Sequence, residues 1–279
     1  MDLSSPKIMG IVNVTPDSFS DGVPNTHLQT VISRAERLVK EGAHILDVGG
    51  ESTRPGATPV SLEEELARVL PVLRELVTWG IPISIDTYKS AVMQAALDLG
   101  VDVINDIWAL RQPGSEEVAA AHGQCGLCLM HMHREPQSMQ VEPLVGDAVV
   151  PVRTFLAARI QVLREQGVAA QRIILDPGIG FGKTVEQNFS LLAQQSDLLS
   201  LGYPVLAGWS RKSSLGKVTG TIDSPSQDRL AASVTAAVLA VDRGARVVRV
   251  HDVQATVQAL KVWQAVVLQS LAGPILSAV

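Results

Sequence analysis

The sequence predicts an α/β fold of the (β/α)8 TIM-barrel type, and three observations support this. Short apolar, β-branched runs alternate with helical patterns along all 279 residues, which is typical of strands buried on both faces of a parallel sheet. The links from strand to helix are long and polar, as they are on the functional face of a barrel. Most links from helix to strand are short and carry glycine: Gly42, Gly80, Gly100, Gly167, Gly202 and Gly244.

The strands follow from the apolar runs, beginning with KIMGIVNVT at 7–15 and HILDVG at 44–49. The clearest is IILD, where a β-branched run ends in Asp176 and the chain breaks into proline and glycine. The eight predicted strands are 7–15, 44–49, 83–87, 103–107, 126–132, 172–176, 204–208 and 246–251.

The helices are predicted from caps and stop signals between these runs. Ser61 and Glu64 form a capping-box pattern at the start of the second helix, and Gly42 ends the first. The eight predicted helices are 28–41, 61–77, 89–99, 116–122, 147–166, 185–199, 227–243 and 253–268. A doubly wound open sheet is the alternative, although it does not require eight consistent repeats. With no break in composition, residues 1–279 are predicted to form a single domain.

Composition and charge argue against several classes of function and location. A net charge of −5 without a broad basic face argues against nucleic acid as the main partner. The N-terminus lacks the pattern of a signal peptide, and no apolar run reaches the length of a membrane span. Two cysteines are too few for a disulfide scaffold, so we expect a cytoplasmic protein. The apolar tail at 265–279, interrupted by Pro274, suits helix packing or a subunit contact.

Polar residues cluster where the predicted strands end, and a closed barrel would bring them to one mouth. They are Asn13, Asp47, Asp86, Asn105, Asp106, His131, His133, Asp176, Ser210, Arg211, Lys212, Arg249 and His251. Asp86, Asn105 and Asp176 suit a flat heterocycle with adjacent N–H groups, such as a 2-amino-4-oxo-pyrimidine. Arg54, Arg211, Lys212, Arg249 and His251 supply the positive charge that suits a phosphate or carboxylate.

Five stretches resemble the dihydropteroate synthase family, the sulfonamide-target enzymes of folate synthesis, in family order between residues 8 and 252. They are NVTPDSFSDG from Asn13, DVGGESTRPG from Asp47, DPGIGFGK from Asp176, SRKS from Ser210 and RVH from Arg249. The resemblance implies a transferase that joins 6-hydroxymethyl-7,8-dihydropterin diphosphate to p-aminobenzoate, giving 7,8-dihydropteroate and pyrophosphate. It also implies a homodimer formed through the later helices.

The resemblance assigns roles by position. Asp86, Asn105, Asp176 and Lys212 match residues that hydrogen-bond the pterin, and Ile107, Met130 and Phe181 match its apolar contacts. Asn13 matches a Mg²⁺ ligand, and it groups with Arg54, Arg249 and His251 at the pyrophosphate. Phe19, Thr53, Pro55, Lys212 and Ser213 match the p-aminobenzoate pocket. The implied catalytic set is Asp86, Asp176, Lys212, Arg249 and His251.

These parts suggest a dissociative reaction in which the pterin binds first. Mg²⁺ and cations would absorb the charge of the departing pyrophosphate, and the two carboxylates would stabilise a cationic methylene. The arylamine would then attack without help from a protein nucleophile. The loops at 16–22 and 50–58 would close over the second substrate and exclude water.

Several signals have plainer interpretations. The stretch from Gly178 to Thr184 resembles a P-loop but has Pro177 where the first glycine belongs. Cys125 and Cys128 lack a second pair, which favours a structural role. His131 and His133 alternate along a predicted strand without an evident third metal ligand. His133-Arg134 also departs from the family pattern, where Gln-Gly is expected.

Asp47 and Asp106 are predicted to be structural or to support better-matched neighbours. Two other classes of protein remain open. A pterin-binding methyltransferase would not need both the Ser210–Ser213 stretch and the Thr53–Pro55 loop. A non-catalytic paralogue would be expected to have lost some anion-binding or p-aminobenzoate residues.

Overall fold

The computed structural model describes residues 2–14, 24–53, 56–135, 139 and 141–272, with the backbone alone for 24–27 and 270–272. Eight strands lie within these residues: β1 (Lys7–Asn13), β2 (Ile45–Gly49), β3 (Ile83–Asp86), β4 (Val103–Asp106), β5 (Gly126–Met130), β6 (Ile173–Asp176), β7 (Leu206–Ala207) and β8 (Val247–Val250). The described helices are α1 (Pro24–Glu41), α2 (Leu62–Leu76), α3 (Ser90–Asp98), α4 (Ser115–Ala121), α5 (Val149–Glu165), α6 (Val185–Ala193), α7 (Gln195–Leu199), α8 (Ser213–Thr219), α9 (Leu230–Asp242) and α10 (Val253–Ala272).

The strands form one parallel sheet in the order β6-β5-β4-β3-β2-β1-β8-β7. Its two ends meet, because Leu175 of β6 forms a bridge with Val205 just before β7. The Leu175 amide also donates to the carbonyl of Pro204 at 2.9 Å. The sheet therefore closes into a barrel, which confirms the predicted fold and rules out the open-sheet alternative.

Strand alternation decides which side chains enter the barrel. Along β2, Leu46 and Val48 belong to the large core under the helices, whereas Ile45 belongs to a small separate cluster. That inner cluster also contains Met9, Cys128, Leu206 and Val247, and we call it the lower cluster. Two residues farther along their strands come Asp47 after Ile45, Met130 after Cys128, and Arg249 after Val247. Because side chains alternate with a period of two, the next inward-facing residue on each of these strands lies above the lower cluster, among the site residues.

The element boundaries differ from the predictions where packing or capping overrides the local pattern. β5 ends at Met130 rather than at residue 132, and the helix predicted at 185–199 is divided at Gln194 into α6 and α7. The short helix α8 was not predicted, because its polar start resembles a loop. At the predicted capping box, Ser61 Oγ accepts from the Glu64 amide at 3.2 Å, but the Glu64 carboxylate binds Arg68 instead.

None of the helices in the described part of the chain is both long enough and apolar enough to cross a membrane.

Candidate active site

The parallel register brings predicted site residues from neighbouring strands side by side. Asn13 lies opposite Gly49, Gly49 opposite Asp86, and Asp86 opposite Asn105. Farther along the sheet, Met130 of β5 lies opposite Asp176 of β6. Since the carboxyl ends of parallel strands share one edge, these side chains border a single mouth.

A network of charges occupies the floor of this mouth. Arg249 on β8 donates from Nε to Asp47 Oδ2 at 2.6 Å and from Nη2 to Asp86 Oδ2 at 2.6 Å. Asn105 Nδ2 also reaches Asp47, at 3.2 Å from Oδ2. The network joins four strands, so the residues assigned to pterin and to pyrophosphate are in contact with one another.

Burial perturbs both carboxyls that face the mouth. The pKa of Asp86 is raised to about 7, mainly because burial disfavours the charged form, while the Arg249 guanidinium opposes the rise. The pKa of Asp176 is also raised by burial, and the Gly178 amide and the Lys212 ammonium work against this. Carboxyls with perturbed pKa values in a cleft are typical of functional sites.

The loop after β6 turns back tightly at the mouth. Asp176 Oδ1 accepts from the Gly178 amide at 2.7 Å. Gly178 has φ +69°, and a Cβ there would lie 1.9 Å from the carbonyl oxygen of His131. Only glycine fits this approach, so the loop packs flush against the chain leaving β5.

An apolar wall stands beside these polar groups. Ile107, Met130 and Phe181 pack into one cluster with Met132 and Met139. The cluster brings together all three residues that the resemblance assigned to the faces of the pterin ring. An apolar wall next to convergent polar groups is the usual composition of a small-molecule site.

Lys212 crosses this wall from the turn between β7 and α8. Its Nζ lies 4.4 Å from the centroid of the Phe181 ring, within the range of a cation–π contact. Its stem passes over Gly180, where a Cβ would meet Lys212 Cδ at 3.3 Å. The lysine is thereby directed toward the apolar wall and Asp176.

The rest of that turn is fixed by contacts with the end of β8. Ser210 Oγ lies 2.9 Å from Nδ1 of His251, which places His251 at the same mouth. Arg211 forms two bonds with Asp252, at 3.1 and 2.6 Å. The positive charge predicted for Arg211 is therefore already paired with a carboxylate.

The second-substrate residues are only partly described. Phe19, Arg54 and Pro55 lie outside the described residues. Thr53 borders a cavity of about 190 Å³ together with Tyr88 and Trp108, which pack against the apolar wall. Ser213 is exposed as the first residue of α8.

Sequence reasoning missed two charged features near the mouth. Lys183 is buried and donates to the carbonyls of Gly178, Phe181 and His131, so the lysine of the P-loop-like stretch binds its own backbone. Lys89 forms ion pairs with Glu51 and Glu65. Three acidic residues in the first turn of α2 signal an acidic helix end, but nothing in the sequence specifies Lys89 as the partner.

The other candidate signals have structural explanations. Burial lowers the pKa of His131 to about 3, and its ring packs edge-on against Phe155 at 5.1 Å. Because β5 ends before His131, the predicted alternation of the two histidines along a strand is wrong. Cys125 and Cys128 are free, buried thiols. Asp106 accepts from the amides of Trp108 and Leu110 and so shapes the turn after β4.

Asn13 is the residue that the resemblance assigned to Mg²⁺. The described residues contain no group of three or more His, Cys, Asp or Glu side chains that could cage a metal ion. Mg²⁺ commonly keeps several waters and takes one or two protein ligands together with substrate phosphates. A single half-buried amide at the end of β1 fits that second arrangement.

Fold and site together define a (β/α)8-barrel protein whose polar and charged side chains at the carboxyl ends of the strands suit a polar, partly anionic ligand. Residues 9–251 match the family described as "Pterin binding enzyme". The dihydropteroate synthase of Neisseria meningitidis serogroup C is 52% identical, over 94% of this chain and 93% of that protein. The chain belongs to this family, among the dihydropteroate synthases.

Solved structures support the same conclusion. The Burkholderia cenocepacia dihydropteroate synthase complexed with 7,8-dihydropteroate has a TM-score of 0.87 and is 53% identical, covering 96% of this chain and 94% of that one. The Xanthomonas albilineans enzyme with 4-aminobenzoic acid has a TM-score of 0.89 and is 49% identical, covering 95% and 94%.

Proposed function

We propose that this transferase condenses 6-hydroxymethyl-7,8-dihydropterin diphosphate with p-aminobenzoate, giving 7,8-dihydropteroate and pyrophosphate. One observation carries the proposal. Asp86, Asn105, Asp176 and Lys212 come from separate strand ends and border one mouth beside the apolar wall. The ligands named with the related Burkholderia and Xanthomonas enzymes are the product and the second substrate of this reaction.

The pterin is proposed to lie between the apolar wall and the carboxylates. Ile107, Met130 and Phe181 would contact its faces, while Asp86, Asn105 and Asp176 would bond its N–H edge. A carboxylate can accept two parallel N–H bonds from such an edge, and this fixes the ring's orientation as well as its affinity. Lys212 would donate to the opposite, oxygen-bearing side of the ring.

The diphosphate is proposed to lie toward β8 and β1, near Arg249, His251, Asn13 and Arg54. Mg²⁺, held by Asn13 and substrate oxygens, would neutralise charge on the diphosphate when bound. Arg249 and His251 would donate to the diphosphate oxygens from the protein side. They would thereby favour the departure of pyrophosphate.

The bond between the methylene carbon and the diphosphate oxygen would break first, and its electron pair would leave with pyrophosphate. Asp86 and Asp176 would stabilise the cationic methylene that remains. The amine of p-aminobenzoate would then form the new C–N bond and release a proton to solvent. Phe19, Thr53, Pro55, Lys212 and Ser213 are the proposed contacts for this second substrate.

The direct test is product formation. The purified chain with Mg²⁺, pterin diphosphate and p-aminobenzoate should yield dihydropteroate and pyrophosphate in equal amounts. A methyltransferase or a non-catalytic pterin binder would yield neither. Lys212→Ala and Asp86→Ala should each abolish turnover while the thermal unfolding midpoint shows that the chain still folds.

Binding order is tested separately by calorimetry. p-Aminobenzoate should bind tightly only when pyrophosphate or the pterin diphosphate is already present, because the proposed reaction is ordered and fills the pterin site first. Tight binding of p-aminobenzoate to the chain alone would contradict the ordered reaction. A sulfonamide should compete with p-aminobenzoate under the same conditions.

We further propose that the chain works in the cytoplasm as a homodimer. Two free thiols suit a reducing compartment. Exposed apolar side chains lie on the two last helices, including Leu239 on α9 and Val262 and Val266 on α10. Such side chains on neighbouring helices suit a contact between copies of the chain.

A further inference from the structure

Asp47 lies deeper in the barrel than the residues proposed to touch substrate. Its carboxylate is fully buried on β2, between Ile45 of the lower cluster and Gly49 at the strand end. A buried carboxylate stays charged only where hydrogen bonds and opposite charge replace its lost hydration. The identity of its partners therefore indicates what the group is for.

Both partners of Asp47 belong to the proposed site. Arg249 donates from Nε at 2.6 Å, and Asn105 donates from Nδ2 at 3.2 and 3.4 Å to the two carboxylate oxygens. Within the described chain, every hydrogen bond of the Asp47 carboxylate goes to one of these two side chains. Asp47 thus links the proposed anion-binding group to one of the proposed pterin-binding groups.

The two carboxylates on Arg249 differ in access. Asp86 is 11% exposed, whereas Asp47 is 0% exposed. Gly49 places no side chain against Asp86, because a Cβ at Gly49 would already be in van der Waals contact with the Cβ of Asp86, at 3.5 Å. Asp86 can therefore exchange Arg249 for a ligand, while Asp47 remains out of a ligand's reach.

We propose that Asp47 is a positioning residue that holds Arg249 and Asn105 from below and balances the guanidinium charge. Asp86 can then leave Arg249 and accept N–H bonds from the pterin, and Arg249 keeps its orientation while its freed edge meets the diphosphate. Asp47 itself touches neither substrate. The inference rests on the proposed function and adds one group to its machinery.

The test is Asp47→Asn, which keeps the shape and an acceptor oxygen but removes the charge. Asp86 then becomes the only carboxylate on Arg249 and is withheld from the pterin. The KM for pterin diphosphate should rise about tenfold or more, as expected for loss of a charged hydrogen bond. The KM for p-aminobenzoate should stay within about twofold, whereas general loosening of the barrel would raise both.

The pH profile gives a second readout. Arg249 lowers the pKa of Asp86, while Asp47, Glu65 and Asp106 raise it. Without the Asp47 charge, the pKa of Asp86 should fall, and the acid limb of kcat/KM should move to lower pH. Glu116→Gln is the matched control, because Glu116 pairs with Arg159 among the outer helices and should leave both readouts unchanged.

If Asp47→Asn does not fold, the double variant Asp47→Asn with Arg249→Gln removes both charges of the buried pair. Asp86 is then free of any guanidinium. The variant should bind 6-hydroxymethyl-7,8-dihydropterin within about threefold of the wild type but should bind pyrophosphate at least about tenfold more weakly. Asp47→Asn keeps an acceptor oxygen for Asn105. A tenfold loss of pterin affinity in the double variant would therefore overturn the inference, because Asp47 would not then act on Asp86 through Arg249.

The experiments distinguish a failure of the proposed function from a failure of the role assigned to Asp47. An inactive wild-type chain would overturn the proposed function. An active wild type whose Asp47→Asn variant keeps both the pterin KM and the acid limb would overturn the role of Asp47 alone.

Discussion

Lys183 illustrates how one buried cation can set the shape of a binding loop. Its ammonium donates to Gly178 O at 2.8 Å, Phe181 O at 3.0 Å and His131 O at 3.3 Å. These bonds tie the loop after β6 to the chain leaving β5. Phe181 of the apolar wall is carried on that loop, so its position depends on a residue that is 3% exposed.

We expect Lys183→Met to destabilise the fold and weaken pterin binding. The methionine fills similar space but leaves carbonyl groups without their donor, which should lower the free energy of unfolding by about 3 kcal/mol. Chemical denaturation measures this directly. Lys217→Met on the exposed face of α8 is the control, and an equal effect of both substitutions would contradict the expectation.

The same lysine should make stability depend on pH. Burial lowers the pKa of Lys183 from its ordinary 10.5 to about 7. Between these values the unfolded chain binds more protons than the folded chain, so stability rises as the pH increases. The difference in unfolding free energy between wild type and Lys183→Met should therefore widen from pH 7 toward pH 10. A constant difference would show that Lys183 does not titrate in this window.

Asp86 should control the acid side of the activity profile. Its pKa is raised to about 7 by burial, with Asp47, Glu65 and Asp106 adding to the rise and Arg249 opposing it. The pterin is proposed to need the charged carboxylate, so kcat/KM should decline as the pH falls through about 7. Steady-state kinetics on the wild type measure this, and a profile flat down to pH 5 would contradict it.

At the scale of elements, one helix cap stabilises a neighbouring connection as well as its own helix. Thr184 and Gln187 form a reciprocal capping box at the start of α6. The Gln187 side chain also donates to the carbonyls of Leu144 and Gly146, at 2.7 and 2.8 Å. This single cap therefore anchors the long connection between β5 and α5.

Two substitutions at this cap should separate its functions. Thr184→Ala removes the N-cap acceptor and should cost about 1 kcal/mol of unfolding free energy. Gln187→Ala also strips donors from two carbonyls outside the helix, so it should cost more, about 2–3 kcal/mol. Gln161→Ala on the exposed side of α5 is the control. The expectation fails if Thr184→Ala proves the more damaging change.

The elements also show where sequence reasoning works. Apolar runs predicted every strand, because parallel strands buried on both faces leave a strong local signal. The short helix α8 was missed because its polar start resembles a loop. The break between α6 and α7 was missed because it depends on packing against a neighbouring helix, where Gln195 donates to the carbonyls of Ala240 and Arg243. The contact of Arg211 with Asp252 was equally invisible, because the two residues are distant in sequence and meet only when β7 and β8 pair.

The same limit applies to the site. Strand ends and motifs placed Asp86, Asn105 and Asp176 at one mouth, but no pattern indicated that Arg249 binds Asp47 and Asp86 together. Such pairings depend on the closure of the barrel, which brings β8 back beside β1. A list of residues at strand ends therefore predicts which groups meet, and not which of them pair.

At the scale of the whole molecule, the last helix bears on assembly. Val262 and Val266, four residues apart on α10, are 67% and 61% exposed. They lie one turn apart on the same face, so a partner subunit could cover both. This supports the proposed homodimer.

Charge on this face should separate the subunits. The double variant Val262→Glu with Val266→Glu should halve the mass measured by light scattering, because burying unpaired carboxylates in an interface is costly. Val145→Glu, at a site that is 92% exposed between β5 and α5, should leave the mass unchanged. A wild type with the mass of one chain would contradict the dimer itself.

The closure between β6 and the chain entering β7 determines where the barrel opens most easily. Neighbouring strands elsewhere share continuous ladders, but this seam is held by the Leu175–Val205 bridge and the bond from Leu175 to Pro204. In a hydrogen–deuterium exchange experiment, the Leu175 amide should lose its protium before those of β2 and β3. The barrel would then open first between β6, which ends in Asp176, and β7, which leads to Lys212. A pterin bound at the mouth should therefore slow hydrogen exchange at this seam more than elsewhere.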